Sequence, residues 1–274
     1  MFVPQGRRRS TMHVATSKDG TTIAYDRQGQ GPAIILVAGA LCSRLGWSGP
    51  HLSNLLAPHF TAYNYDRRGR GDSGDTKPYA VAREVEDIEA LVDEAGGSAY
   101  LYGHSSGAAL VLEVAIQLGQ KIKKLALYEA PYHVESADQQ AFKEYIKHLA
   151  AALAADRKGD AVAAFLQYVG MPTDQIAAMR QSPAWPQLES IAPTLAYDHT
   201  AILGEDSSIP AEQIALITAP TLVMNGGASF PFMDETAQVL SKAIPHAKRY
   251  TLQGQTHDVA PEALAPVLVD FFLG

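Results

Sequence analysis

Two apolar periods alternate along this chain. Short runs of continuous or alternating hydrophobic residues predict strands, and stretches with apolar residues three and four apart predict helices. Residues 13–17 and 21–26 read as two strands around an Asp19-Gly20 turn, a hairpin. Ala33-Ile34-Ile35-Leu36-Val37 is an unbroken apolar run between Gly-Pro and Ala-Gly, the pattern of a strand covered on both faces. Residues 52–56 read as helix and 61–65 as strand. Val85, Ile88, Leu91 and Val92 recur at helical spacing within 81–95, and Gly96-Gly97 ends that helix. A strand at 98–102 runs through a tight turn into a helix from 108, closed by Gly119, and a further strand at 124–128 stops before Pro131. The rhythm then changes. Residues 131–210 are Ala-rich and helical at 142–155 and 160–169, with breaks at Pro172, Pro183, Pro186 and Pro193 and no strand pattern. Alternation resumes with a strand at 221–224, a helix at 234–243, a strand at 248–252 and a helix at 262–272.

Such alternation predicts an α/β fold, a mostly parallel central sheet flanked by helices. Its core is expected at 13–130 and 211–274, with 131–210 as a helical insertion. Residues 1–12 lack a regular apolar pattern and are expected to form a disordered tail, despite Arg7-Arg8-Arg9.

With 274 residues, 47% of them hydrophobic, the chain can bury a large core. Its net charge of −7 argues against nucleic acid as a partner. No apolar run follows the arginines as in a secretory signal, and none is long enough to span a membrane. The single cysteine, Cys42, excludes an intramolecular disulfide, and no His/Cys/Asp/Glu grouping has metal-ligand spacing. A cytoplasmic protein acting on a small molecule without metal or cofactor is the expectation.

The candidate chemistry begins at Gly103-His104-Ser105-Ser106-Gly107, a G-x-S-x-G pattern between the predicted strand at 98–102 and the helix after it. Strand, sharp turn and helix present a serine hydroxyl to substrate, while glycines on either side allow strand and helix to approach. The pattern is short, so its weight comes from its partners. A serine hydroxyl needs a base, and the base needs a carboxylate to fix its tautomer and stabilise its charged form. Of nine histidines, His257 is the expected base: it follows the last strand in Gly254-Gln255-Thr256-His257-Asp258 and precedes the last helix, at the edge of the sheet where Ser105 should lie. His104 adjoins the serine, but a supporting or packing role suits it better. His133, His148 and His199 fall in the insertion and are expected at its surface. The oxyanion donors expected are the backbone N–H groups of Ser106 and of Ala40, the latter in the Ala38-Gly39-Ala40-Leu41 loop after the buried strand.

From about residue 13 onward the chain resembles the α/β-hydrolase superfamily. The resemblance rests on the elbow, the histidine loop, the oxyanion loop and Asp66-Arg67-Arg68-Gly69-Arg70-Gly71-Asp72-Ser73-Gly74, which is similar to a D-x-R-G-x-G-x-S stretch that braces the core in that family. It implies a helical cap over the active site. Two departures matter. The oxyanion loop has Ala38-Gly39 where the family often has His-Gly. The usual acid position after the strand at 221–224, a G-x-x-D pattern, reads Gly226-Gly227-Ala228-Ser229. The acid must come from elsewhere: Asp234, expected already in a helix and pointing away, or Glu129, directly after the strand at 124–128. A glutamate there needs a partner to offset its desolvation, and a catalytic histidine is one. Glu129 is preferred. Some haloalkane dehalogenases place their acid similarly, but they use an aspartate nucleophile, as related epoxide hydrolases do, and Ser105 argues against both activities.

The expected protein is a serine hydrolase of a small carboxylic ester, lactone or thioester, with Ser105, His257 and Glu129 as its triad. Alternatives keep the fold for acyl transfer, C–C cleavage or another non-ester reaction, or for ligand binding without catalysis. Gly69-Arg70-Gly71-Asp72-Ser73-Gly74 spells a dinucleotide fingerprint, but Lys77-Pro78 stands where a helix would have to open. Trp185, Phe165, Tyr168, Met171 and Met179 could line a cap pocket, though their spacing suits packing.

Overall fold

The computed structural model describes residues 12–274; Arg7-Arg8-Arg9 lies outside the described residues, whereas Met12 is already paired with Asp26. Eight strands form one sheet: β1 (Met12–Thr16), β2 (Thr22–Gln28), β3 (Ala33–Val37), β4 (Thr61–Tyr65), β5 (Ala99–His104), β6 (Ile122–Tyr128), β7 (Thr221–Gly226) and β8 (Ala247–Leu252). Their order across the sheet is β1-β2-β4-β3-β5-β6-β7-β8. The pairings of β1 with β2 and β2 with β4 are antiparallel; all others are parallel. Ten α-helices connect them: α1 (Gly49–Leu56), α2 (Val81–Glu94), α3 (Ser106–Leu118), α4 (Ser136–Ala154), α5 (Lys158–Tyr168), α6 (Thr173–Arg180), α7 (Trp185–Ile191), α8 (Ala211–Ile214), α9 (Pro231–Ala243) and α10 (Pro261–Leu273).

The strand period of two sorts the sheet into two faces. Ile35, Val37, Leu101, Leu125, Leu127 and Val223 point into a core shared with α2, α3 and α9. Their neighbours Ile34, Leu36, Tyr102, Ala126, Tyr128 and Met224 point to the other side, against α1 and α10. Every residue of β3 is buried, as its unbroken apolar run predicts. Full burial is worth about 1.5–3 kcal/mol per large aliphatic side chain. This packing makes β3 and β5 rigid central strands, and both end beside the candidate site.

Between β6 and β7 the described chain is helical apart from a single bridge, His133 to Ser208. The prolines seen in the sequence punctuate this region rather than dissolve it. Pro172 caps α6 and Pro186 lies in the first turn of α7, where a missing N–H costs nothing. The region ends in one π-helical stretch, Tyr197–Ile202, which packs on α2 and α3. Trp185, Phe165, Tyr168, Met171 and Met179 all pack into the apolar cluster there. His133 and His199, expected at the surface, are buried at 5% and 4% exposure. Each found a tyrosine hydroxyl: His133 Nε2 with Tyr168, and His199 Nδ1 with Tyr145 at 3.1 Å. Burial pushes the His199 imidazole down to about 4 against the pull of Asp198, and it lowers His133 as well.

Candidate active site

Ser105 sits between β5 and α3 with φ 56° and ψ −127°, a conformation that a non-glycine residue holds only at a cost of about 1–3 kcal/mol. The turn is tight because its flanks touch. A methyl group on Gly103 would lie 2.5 Å from the Gly107 carbonyl, and one on Gly107 would lie 2.6 Å from the Ala38 carbonyl. The Ser105 N–H donates to the Tyr128 carbonyl at 2.9 Å, tying the turn to the end of β6. Two other non-glycine residues with positive φ border the turn: Leu41 at 52° in the loop after β3, and Glu129 at 49° just past β6. Backbone strain of this kind persists where surrounding packing over-determines it, as at functional sites.

Glu129 is 3% exposed. Its Oε1 accepts the Gly226 N–H at 2.7 Å. Its Oε2 accepts the Ser229 hydroxyl at 2.9 Å and faces His257 Nδ1 at 2.7 Å. Ser229, at the position where the family usually carries its acid, is therefore a donor to Glu129, a relation the sequence did not reveal. Asp234 lies on the exposed face of α9, where its carboxylate accepts from Arg249 at 2.6 Å and Asn225 at 3.1 Å. The histidine loop crosses the end of β7 so closely that a side chain on Gly226 would run into the Gln255 carbonyl. Tyr128 donates its hydroxyl to the Thr256 carbonyl, bracing the same loop. The His257 ring meets that of His104 edge-on at 5.0 Å between centroids. Burial pushes His104 down to about 3, and His257 adds to that shift, so His104 stays neutral near pH 7.

The loop after β3 lies against the elbow. A methyl group on Gly39 would stand 2.9 Å from Ser105 Cβ and 3.4 Å from its Oγ, so only glycine lets the Ala38–Leu41 backbone pass. Ser106 is buried at the start of α3, and Ala40 is half-buried in the loop after β3.

A model of the alpha/beta hydrolase family matches residues 34–267, a span that includes Leu41, Ser105, Glu129 and the histidine loop. The chain belongs to that family. An alpha/beta hydrolase from Sphaerobacter thermophilus is 51% identical, with TM-score 0.86 over 95% of this chain and all of that one. An esterase, RhEst1 from Rhodococcus sp., shares the fold at 19% identity and TM-score 0.70, over 96% of this chain and 98% of its own. The uncharacterized hydrolase YraK of Bacillus subtilis is 31% identical over 114 residues, 40% of this chain and 41% of YraK. The chain thus spans about two fifths of that curated relative's length.

This alpha/beta hydrolase carries a buried charge network around the stretch expected to brace the core, anchored by Asp198, which its sequence did not mark. Arg67, Arg68 and Arg70, from the stretch after β4, are all 1% exposed or less. Arg67 grips Glu84 with two bonds of 2.7 Å and reaches Asp198 at 2.6 Å. Arg70 reaches the other Asp198 oxygen at 2.6 Å. Asp198 also accepts the Ser106 hydroxyl at 2.9 Å. Burial alone would raise the Asp198 carboxyl, but Arg67 and Arg70 outweigh it and hold the group well below the usual carboxylate range. Tyr197 stacks on Tyr79 at 3.8 Å and donates to Asp75, so the π-helical stretch is fastened to the sheet domain at adjoining residues. Among the described residues no grouping of His, Cys, Asp and Glu could hold a metal ion, and no helix is long and apolar enough to cross a membrane.

Proposed function

We propose that this alpha/beta hydrolase cleaves a small carboxylic ester, lactone or thioester through a covalent acyl-enzyme on Ser105. Ser105 Oγ attacks the carbonyl carbon as its proton passes to His257 Nε2. The His257 Nδ1–H donates to Glu129, whose charge offsets the imidazolium that forms. The negative charge gathering on the carbonyl oxygen is met by the backbone N–H groups of Ala40 and Ser106. His257 then gives its proton to the leaving oxygen or sulfur, the acyl group remains on Ser105, and water activated by His257 releases it as a carboxylic acid. Residues 131–210 act as the cap that excludes solvent from this chemistry, with Tyr197–Ile202 as its anchor to the sheet domain.

The observation that carries this reading is the Glu129–His257 pair beside the turn that strains Ser105. Among the described residues no arginine or lysine bonds to Glu129, so its buried charge is matched to an imidazole that gains a proton during turnover. Ser105→Ala should abolish hydrolysis of short aryl esters and labelling by a fluorophosphonate. Labelling that persists in the variant would sink the assignment of the nucleophile.

A further inference from the structure

Arg70 is oversized for a purely structural task. It is 1% exposed, its Nε has no partner among the described residues, and a buried pair of this kind is often replaced by apolar residues at no loss of stability. What distinguishes it from Arg68 on the same stretch is where its second bond goes. Arg68 pairs with Asp87 and Asp19, both remote from the elbow. Arg70 Nη1 instead donates to the Gly39 carbonyl at 2.6 Å. Arg67 Nη1 makes a longer bond, 3.3 Å, to the Ala38 carbonyl one residue earlier.

That contact fixes more than an oxygen. The Gly39 carbonyl and the Ala40 N–H belong to one planar trans peptide, and they point in opposite directions. Gly39 also has no side chain to resist rotation of that peptide, and Leu41 just after it already stands at positive φ. A guanidinium on the carbonyl supplies the missing constraint. It also polarises the amide, because a charge-assisted bond to C=O strengthens the N–H on the far side. A methyl group on Gly39 would meet Ser105 Cβ at 2.9 Å, so this peptide runs alongside the nucleophile.

We propose that Arg70, clamped by Asp198, is a positioning residue that aims the Ala40 N–H at the developing oxyanion. Asp198 holds the Ser106 side chain too, so one carboxylate from the helical insertion orients the residues that carry both oxyanion donors. Docking of the Tyr197–Ile202 stretch and assembly of the oxyanion hole are then the same event. This proposal rests on the serine-hydrolase reading, and its test separates the two.

Arg70→Met, Arg70→Lys and the control Arg68→Met are compared with wild type for kcat and KM on a short aryl ester, and for affinity toward an arylboronic acid, which forms a tetrahedral adduct on a reactive serine. Loss of an oxyanion donor costs about 10^2–10^3 in kcat, and misaiming one should cost roughly 10- to 100-fold. Arg70→Met should lose that much in kcat, lose boronate affinity in proportion, and keep KM nearly unchanged. Arg70→Lys, whose single ammonium cannot span Asp198 and Gly39 together, should fall between. Arg68→Met should keep wild-type kcat at temperatures where it is folded. If Arg70→Met fails to fold, the Lys variant carries the comparison. Wild-type protein that binds the boronate alongside an Arg70 variant with unchanged kcat overturns the Arg70 proposal alone, and so does an Arg68 variant with an equal loss. Wild-type protein that neither turns over esters nor binds the boronate overturns the Ser105 reading, and this proposal with it.

Discussion

Glu129 and Asp198 are both carboxylates sealed from water, at 3% and 0% exposure, and they meet the cost of burial in opposite ways. Asp198 is held between two guanidiniums and a hydroxyl. Its charge is fully neutralised and has no remaining task but to hold things in place. Glu129 receives only a backbone amide, a hydroxyl and an imidazole nitrogen. Amides and hydroxyls stabilise an anion without cancelling its charge, so Glu129 keeps attraction in reserve for an imidazolium. The difference indicates which buried carboxylate is suited to chemistry and which to architecture.

The sharpest way to break that contrast is Glu129→Gln. It preserves shape and removes the charge, and it should lower kcat by roughly a thousand- to ten-thousand-fold with little change in melting temperature. Asp234→Asn, on the exposed face of α9, should leave the steady-state rate within error. Equal losses in the two variants, or none in either, would refute the role given to Glu129. Next in size is Asp198→Asn. Removing one partner of a buried ion cluster costs about 3–5 kcal/mol, which chemical denaturation would read as a lowered midpoint. A change below 1 kcal/mol would mean that Arg67 and Arg70 find other acceptors.

The smallest effect is a pH dependence that distinguishes the charged cluster from the neutral rings beside it. Asp198 has a depressed folded-state pKa, so its contribution is complete above the ordinary carboxylate range and is lost only as pH falls below it. It adds no slope between pH 7 and 5. His199 is depressed from 6.5 to about 4 by burial, so the unfolded chain binds the extra proton first. Stability should therefore fall as pH drops from about 6.5 toward about 4. His199→Phe should flatten that slope relative to wild type, and identical slopes would show that the ring is not held neutral.

The elbow, the histidine loop and Glu129 were legible because their signals are local. A strand, a turn and a helix around Ser105 occupy consecutive residues, and Glu129 directly follows a buried strand. The parallel sheet followed from the same alternation, and the runs at 33–37 and 61–65 became β3 and β4 unchanged. Asp198 was not legible. Its arginine partners lie 131 and 128 positions earlier, and nothing in an Ala-rich, Pro-broken stretch marks one aspartate as the anchor. His133 and His199 misled for a related reason. A histidine reads as polar until the tyrosine that satisfies it is known, and Tyr145 lies 54 positions from its partner. Ser229 was noticed only as the wrong residue at an expected place; its use appears once β6 and β7 are seen side by side.

In the proposed mechanism, with Glu129 as the acid at the end of β6, the turn after β7 owes the site only an N–H from Gly226 and a hydroxyl from Ser229. A main-chain donor makes no demand on side-chain chemistry, although Gly226 must stay glycine to clear the Gln255 carbonyl. Gly227 and Ala228 are exposed, and they hold their neighbours through backbone atoms alone. Positions 227 and 228 can drift in sequence without carrying the proposed reaction away with them, whereas Gly226 and Ser229 cannot. A chain that keeps its acid on the turn would have to conserve the turn's composition as well as its path. In the proposed arrangement, moving one carboxylate across a single strand thus leaves positions 227 and 228 of that segment free to evolve.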